Sequence, residues 1–229
     1  MGDEIKEHIQ TVKQNVEAAC RRAGRNPDEV TLIAVSKTKP LKMLLEAYEA
    51  GARDFGENKV QEILEKAPKM PPDARFHMIG HLQRNKVRQV IPHVRMIHSV
   101  DSVRLAEMIQ QEALRIGKTV DILLEVNVAK EESKFGMFPE QVMENLDQIR
   151  LFPNIRICGL MTIAPFVENS EENRPIFQKL YQLYVDIKKK NIDNVTMNVL
   201  SMGMTGDYQV AVEEGATMIR VGTGIFGVR

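Results

Sequence analysis

The sequence predicts an α/β fold, a single (β/α)₈ TIM barrel over residues 1–229 with an extra helix at its amino terminus. Three observations carry this expectation. Short apolar segments recur along the chain without the alternation of a half-exposed strand, as a parallel sheet covered on both faces requires. Helical patterns separate them, and strands alternating with helices imply a parallel sheet. Eight such units within 229 residues match the size of a compact barrel. A doubly wound open sheet is the alternative.

The first segment reads as a helix. Ile5, Ile9, Val12, Val16, Cys20 and Ala23 recur at spacings of three and four on one face of a 3.6-residue period, and Gly24 and Pro27 stop it. The strand candidates are Val30–Val35, Arg53–Gly56, Arg75–Ile79, Met96–Val100, Val120–Val126, Ile155–Met161, Met197–Leu200 and Met218–Val221. Between them lie helical patterns such as Val142, Leu146, Ile149 and Ile176, Leu180, Leu183, Ile187. The proline-rich stretch Pro68–Pro72 reads as a loop before the third strand rather than a boundary, so one domain is expected.

Composition is that of an ordinary globular protein, 43% hydrophobic and 27% charged. Lysine plus arginine and aspartate plus glutamate both number 31, so the basic surplus of a nucleic-acid binder is missing. The run Lys188-Lys189-Lys190 falls where a helix should end, and cations there favour the negative end of the helix dipole. Cys20 and Cys158 read as small core residues rather than a disulfide framework. The acidic start Met1-Gly2-Asp3-Glu4 lacks the apolar centre of a signal peptide, and no apolar run approaches the roughly 20 residues of a membrane span. A cytoplasmic monomer is expected, without nucleic-acid or membrane partners.

In a barrel, chemistry sits at the carboxyl ends of the strands. After the first strand comes Ser36-Lys37-Thr38-Lys39-Pro40. A lysine there has its amine drawn into the barrel mouth, where desolvation favours the free amine, a nucleophile toward aldehydes. After the seventh strand comes Ser201-Met202-Gly203-Met204-Thr205-Gly206-Asp207, and after the eighth Gly222-Thr223-Gly224-Ile225-Phe226-Gly227. Barrels commonly bind phosphate with these two loops and the start of a short helix. Glycine lets backbone N–H groups turn toward an anion, and Ser201 and Thr223 add hydroxyl donors. Gly222 to Gly227 also matches the dinucleotide fingerprint, but only Val228 and Arg229 follow, so no βαβ unit is expected to complete it.

Arg220 falls within the eighth strand, where a charge is costly to bury without a partner. It is expected to face something polar in the mouth. His77 and His81 are spaced like a metal pair on a helix, but Ile79-Gly80 breaks the helical reading and no third ligand is evident. No metal is expected.

Stretches running almost end to end resemble the YggS/PROSC-type pyridoxal phosphate homeostasis proteins. They include Leu32-Ile33-Ala34-Val35-Ser36-Lys37-Thr38, Phe55-Gly56-Glu57-Asn58 with Gln61-Glu62, and His77-Met78-Ile79-Gly80-His81-Leu82-Gln83-Arg84-Asn85-Lys86. Later come Val126-Asn127 with Glu132, Lys134 and Gly136, then Gly159-Leu160-Met161-Thr162, Leu200 to Asp207, Arg220-Val221-Gly222-Thr223 and Phe226-Gly227. One departure is Phe76, where members of that family often carry tryptophan before the His-x-Ile-Gly stretch. The resemblance implies the amino-terminal barrel of alanine racemase, with pyridoxal 5′-phosphate held as a Schiff base on Lys37. It further implies that Ser201, Met202, Gly222 and Thr223 hold the phosphate, that Arg220 faces the pyridine nitrogen, and that Asn58 lies beside the cofactor.

Three functions fit: a protein that buffers or delivers the cofactor, a pyridoxal-phosphate enzyme such as an amino-acid racemase, and a sugar-phosphate enzyme forming a Schiff base with its substrate. The resemblance argues against the third and implies homeostasis without an established turnover. Racemisation needs a base on each face of the carbanion, and Lys37 serves one. No second domain is expected to bring the tyrosine that serves the other face in racemases, and of the four tyrosines only Tyr208 falls near a mouth loop. Transient partners are then enzymes awaiting this cofactor.

Overall fold

A computed structural model describes residues 2–228. It opens on α1 (Gly2–Arg22), whose buried stripe runs from Ile5 through Ile9, Val12 and Val16 to Ala19 and Cys20. Gly24 ends the helix with φ +65°, a conformation that costs glycine little, and Arg25 N–H closes on the Cys20 carbonyl at 2.9 Å.

Eight strands then alternate with helices. They are β1 (Thr31–Val35), α2 (Leu41–Glu49), β2 (Asp54–Glu57), α3 (Val60–Lys66), β3 (Arg75–Met78), α4 (Val87–Val90), β4 (Met96–Val100), α5 (Val103–Arg115) and β5 (Val120–Glu125). The second half continues with α6 (Val142–Ile149), β6 (Ile155–Met161), α7 (Arg174–Lys189), β7 (Val195–Met204), α8 (Tyr208–Glu213), β8 (Met218–Val221) and α9 (Thr223–Phe226). Every neighbouring pair is parallel, and β8 pairs with β1 from Thr31↔Met218 to Ala34↔Val221, so the sheet closes as the expected barrel. The open-sheet alternative falls.

Strand residues alternate between two environments, because successive side chains leave opposite faces. The outward set, such as Ala34, Phe55, Ile97, Ile122 and Leu200, belongs to the large core beneath the helices. The inward set is mixed. Met96, Leu123, Cys158 and Met161 form a small apolar cluster, while His77, His98, Ser201 and Arg220 are buried polar residues hydrogen-bonded to one another. Cys20 and Cys158 are both buried and unpaired.

The helix α1 packs outside the barrel against α2, α8 and α9 and so covers the seam where the first and last units meet. Its Asn15 donates to the Tyr208 hydroxyl at 2.9 Å, which draws that tyrosine toward α1 instead of the mouth. The seventh strand is longer than its apolar pattern suggested, running to Met204 rather than ending at Leu200. Ser201 and Met202 are therefore strand residues, one inward and one outward, and not loop residues. Among the described residues no helix is long and apolar enough to cross a membrane.

Candidate functional site

The carboxyl ends of the strands surround a cavity of about 590 Å³, within the range of small-molecule sites. Lys37, Asn58, Arg220, Gly222 and Thr223 lie on its wall, together with Thr205, Gly206 and Asp207. Residues far apart in sequence thus converge on one space.

Lys37 sits half-buried in the turn after β1, with no hydrogen-bonding partner for its amine among the described residues. Its neighbours are held firmly. Ser36 Oγ donates to Glu57 Oε1 at 2.6 Å, and the backbone N–H of Thr38, in the left-handed region at φ 63°, donates to Glu62 Oε1 at 2.6 Å. Buried Lys66 ties the set together, its Nζ reaching the Ser36 carbonyl at 2.9 Å, Glu57 at 2.9 Å and Glu62 at 2.8 Å. Burial pushes the Glu57 carboxyl above its usual range despite the bonds from Ser36 and Lys66. Lys39, by contrast, is spent on the carbonyls of Phe226, Gly227 and Val228 at 3.0–3.2 Å.

Asn58 follows β2 and is held by a close backbone approach. A Cβ on Gly80 would lie 2.5 Å from the Asn58 carbonyl oxygen, so only glycine lets the β3 loop pass there.

Across the cavity, the loops after β7 and β8 form a cradle of donors. The N–H groups of Gly222 and Gly224 converge on Thr205 Oγ1 at 3.2 and 3.3 Å. Asp207 braces this loop by accepting from Met204 N–H at 2.7 Å and Asn173 Nδ2 at 2.9 Å. Ser201 and Met202 stand behind the wall. The Ser201 hydroxyl is engaged with Arg220 at 2.5 Å and His98 at 3.0 Å, and Met202 packs outward in the core. Thr205 and Gly206, part of the same motif but not singled out from sequence, occupy the wall instead.

Arg220 forms part of the floor. It is 4% exposed, donates to Ser201 and to the Thr162 carbonyl at 2.8 Å, and burial lowers its pKa to about 10 against the pull of Glu125 and Asp207. It remains a cation at neutral pH.

Glu125, at the end of β5, was not foreseen. It is 5% exposed with one carboxyl oxygen lacking a partner among the described residues, and burial, helped by Asp101 and opposed by Arg220, raises its pKa to about 7. The folded protein holds a proton that the unfolded chain, with an ordinary value near 4.5, releases. This stability is present below about pH 4.5 and is lost as pH rises through about 7. Urea melts of wild type and Glu125→Gln should therefore diverge, the wild type losing roughly 3 kcal/mol more between pH 4.5 and pH 8. Parallel pH profiles would show that Glu125 ionises normally.

His77 and His81 do not converge on a common point. His77 lies inside the barrel, bonded to Asp54 and His98, whereas His81 stacks on Phe135 with ring centroids 3.7 Å apart.

Comparison with known proteins agrees with this architecture. The family model for the alanine racemase N-terminal domain matches residues 8–229. A pyridoxal phosphate homeostasis protein of Aquifex aeolicus is 42% identical over 97% of both chains, and that of Homo sapiens is 39% identical over 96% of this chain and 85% of its own. The structure of PipY from Synechococcus elongatus with pyridoxal phosphate bound is 36% identical, with a TM-score of 0.85 over 97% of this chain and all of that one. An alanine racemase of Clostridium difficile shares the fold at a TM-score of 0.77 and 13% identity, covering 99% of this chain and 57% of its own. A barrel whose mouth gathers a lysine, an arginine floor and a glycine-hydroxyl cradle, with relatives of this similarity along its whole length, belongs to the pyridoxal phosphate homeostasis family.

Proposed function

We propose that this protein binds pyridoxal 5′-phosphate as a Schiff base on Lys37 and buffers or delivers it to enzymes that use it. The observation that carries the reading is the convergence of the Lys37 amine, the cradle of Thr205, Gly222 and Thr223, and the Arg220 cation on one cavity. When bound, the cofactor would supply an aldehyde to which a lysine amine could join through a C=N bond, with loss of one water. The residues present suit it. Lys37 is an amine held on a braced turn, and the amides of Gly222 and Gly224, now turned on a threonine oxygen, are donors of the kind a phosphate needs. Gly222 and Thr223 hold the phosphate directly in this reading. Ser201 and Met202 support it from behind, one through Arg220 and one by packing β7 against the helix layer. Asn58, on the same wall, would lie beside the ring, and Arg220 would face the pyridine nitrogen as a donor, which would keep that nitrogen an acceptor.

Delivery is tested by mixing the loaded protein with an apo-enzyme and following the enzyme's gain of activity. Transfer faster than release into buffer supports delivery, and transfer at the release rate reduces the protein to a reservoir.

The phosphate should carry more of the affinity than the ring, because hydrogen bonds to a charged group are the stronger kind. Loss of one such bond costs about 1.5–3 kcal/mol, so Thr223→Ala should weaken binding about 10- to 150-fold. Titration by absorbance checks this, and pyridoxal binding as tightly as its phosphate would overturn it.

A further inference from the structure

We propose that Asp54, His77, His98 and Ser201 form a proton-ordered chain that positions Arg220 from beneath and turns the Ser201 hydroxyl proton away from the mouth cavity. The role toward the ring nitrogen rests on the cofactor reading above, whereas the order of the chain does not.

The chain crosses the barrel from one mouth to the other. Asp54 and His77 line a cavity of about 500 Å³ at the amino-terminal end, with Arg75, Arg95, Asp121 and Arg156 around them. His77 Nε2 lies 2.9 Å from Asp54 Oδ1, and His77 Nδ1 lies 2.9 Å from His98 Nε2. His98 Nδ1 then meets Ser201 Oγ at 3.0 Å, and Ser201 Oγ accepts from Arg220 Nη1 at 2.5 Å. His98 and Ser201 are completely buried, so water cannot substitute for a missing partner.

Chemistry at the two ends sets the direction. Burial pushes the Asp54 carboxyl up, but the bonds from His77 and Arg75 outweigh it and hold it at about 2, so it can only accept. His77 must therefore carry its proton on Nε2. Complete burial, with the Arg220 cation nearby, keeps His98 well below the usual imidazole range, so it is neutral with a single N–H. Arg75 already pairs with both oxygens of Asp54, at 2.9 and 2.5 Å, and so matches the charge of the carboxylate that His77 meets. At the upper end the charged neighbours are Arg220 itself, with Glu125 and Asp207 facing it.

With both rings neutral only one order satisfies every atom. His77 accepts on Nδ1, His98 donates from Nε2 and accepts on Nδ1, and Ser201 donates its proton downward to His98. Arg220 can only donate, and it finds in Ser201 an oxygen whose proton points away. A second bond to the Thr162 carbonyl pins the guanidinium plane, leaving its remaining N–H groups for the mouth. Asp54, His77 and His98 are thus positioning residues acting through Ser201, which in turn is not free to donate to a phosphate.

Two measurements test this. Long-range ¹H–¹⁵N correlation spectra of the protein without cofactor should show His77 and His98 as neutral Nε2–H tautomers from pH 6 to 8. A proton on His98 Nδ1, or an imidazolium at either ring, would overturn the order. The second uses a pair of variants. His98→Gln keeps one donor and one acceptor in line, whereas His98→Leu keeps bulk and removes both. Leucine should weaken pyridoxal phosphate binding about tenfold, equal to about 1.4 kcal/mol. It should also move the pH midpoint of the bound-cofactor absorbance band by about one unit, while glutamine restores both. Equal behaviour of the two variants would overturn the positioning role. Correct tautomers in a wild-type protein that takes up no pyridoxal phosphate would sink the cofactor reading and leave the chain standing.

Discussion

Borohydride reduction of the protein incubated with pyridoxal phosphate should place a pyridoxyl adduct on the peptide that contains Lys37, and Lys37→Ala should abolish it. Reduction makes the carbon–nitrogen bond permanent, so peptide mass mapping reads the attachment point directly. The expectation follows from how the other lysines near the barrel are used. The Lys39 amine closes on three carbonyls at the end of α9, Lys66 on Ser36, Glu57 and Glu62, and Lys118 on the carbonyls of Ile91 and Val94. Each of these would have to abandon hydrogen bonds to act as a nucleophile. Lys37 alone among the described lysines lies on the wall of the mouth cavity. The turn is also rigid on both flanks, with Ser36 and Thr38 tied to β2 and α3, so the amine is presented with little ordering left to do. An adduct found only on Lys39 or Lys134 would refute the assignment.

The same bracing explains which parts of the site could be read from the chain. Lys37 and Arg220 are legible because each departs from a local pattern: a lysine ends an apolar strand, and an arginine interrupts another. The eight strands are legible for a related reason, since burial on both faces leaves continuous apolar runs. Short helices such as α4, α8 and α9, of four to six residues, are too brief to display a period. The end of β7 was misplaced because Ser201-Met202-Gly203 looks like a loop, yet the alternation of an inward serine and an outward methionine continues the strand. The His77–His98 pair escaped notice for a deeper reason. Each histidine sits at an inward position of its own strand, and their meeting depends on the register in which the neighbouring strands β3 and β4 pair. Sequence spacing suggested His77 with His81, whereas the fold pairs it with His98 and Asp54. Glu125 was hidden likewise, because its environment is its burial in the folded barrel together with Asp101, just after β4, and Arg220 on β8.

Amino-acid racemisation by the loaded protein should fall orders of magnitude below the roughly 10 s⁻¹ of a typical enzyme. Inverting a stereocentre requires taking a proton from one face and returning it on the other, with a positioned group on each side. On the cavity wall Lys37 can serve one face. The remaining carboxylate there, Asp207, already accepts from Met204 N–H and Asn173, and the Tyr208 hydroxyl is turned away toward Asn15. Arg220 adds a second obstacle. Still a cation at neutral pH although burial lowers its pKa to about 10, it can only donate to a ring nitrogen, which weakens the electron sink that such chemistry uses. At 13% identity the likeness to an alanine racemase shows the shared barrel fold alone. Chiral analysis of alanine, serine and glutamate after long incubation decides the matter, with Lys37→Ala alongside. Activity at an enzymatic rate that depends on Lys37 would overturn the carrier reading and make the protein a racemase. Slow conversion equal in wild type and variant would reflect unbound cofactor, and would leave the lysine as an anchor for cargo rather than a catalytic base.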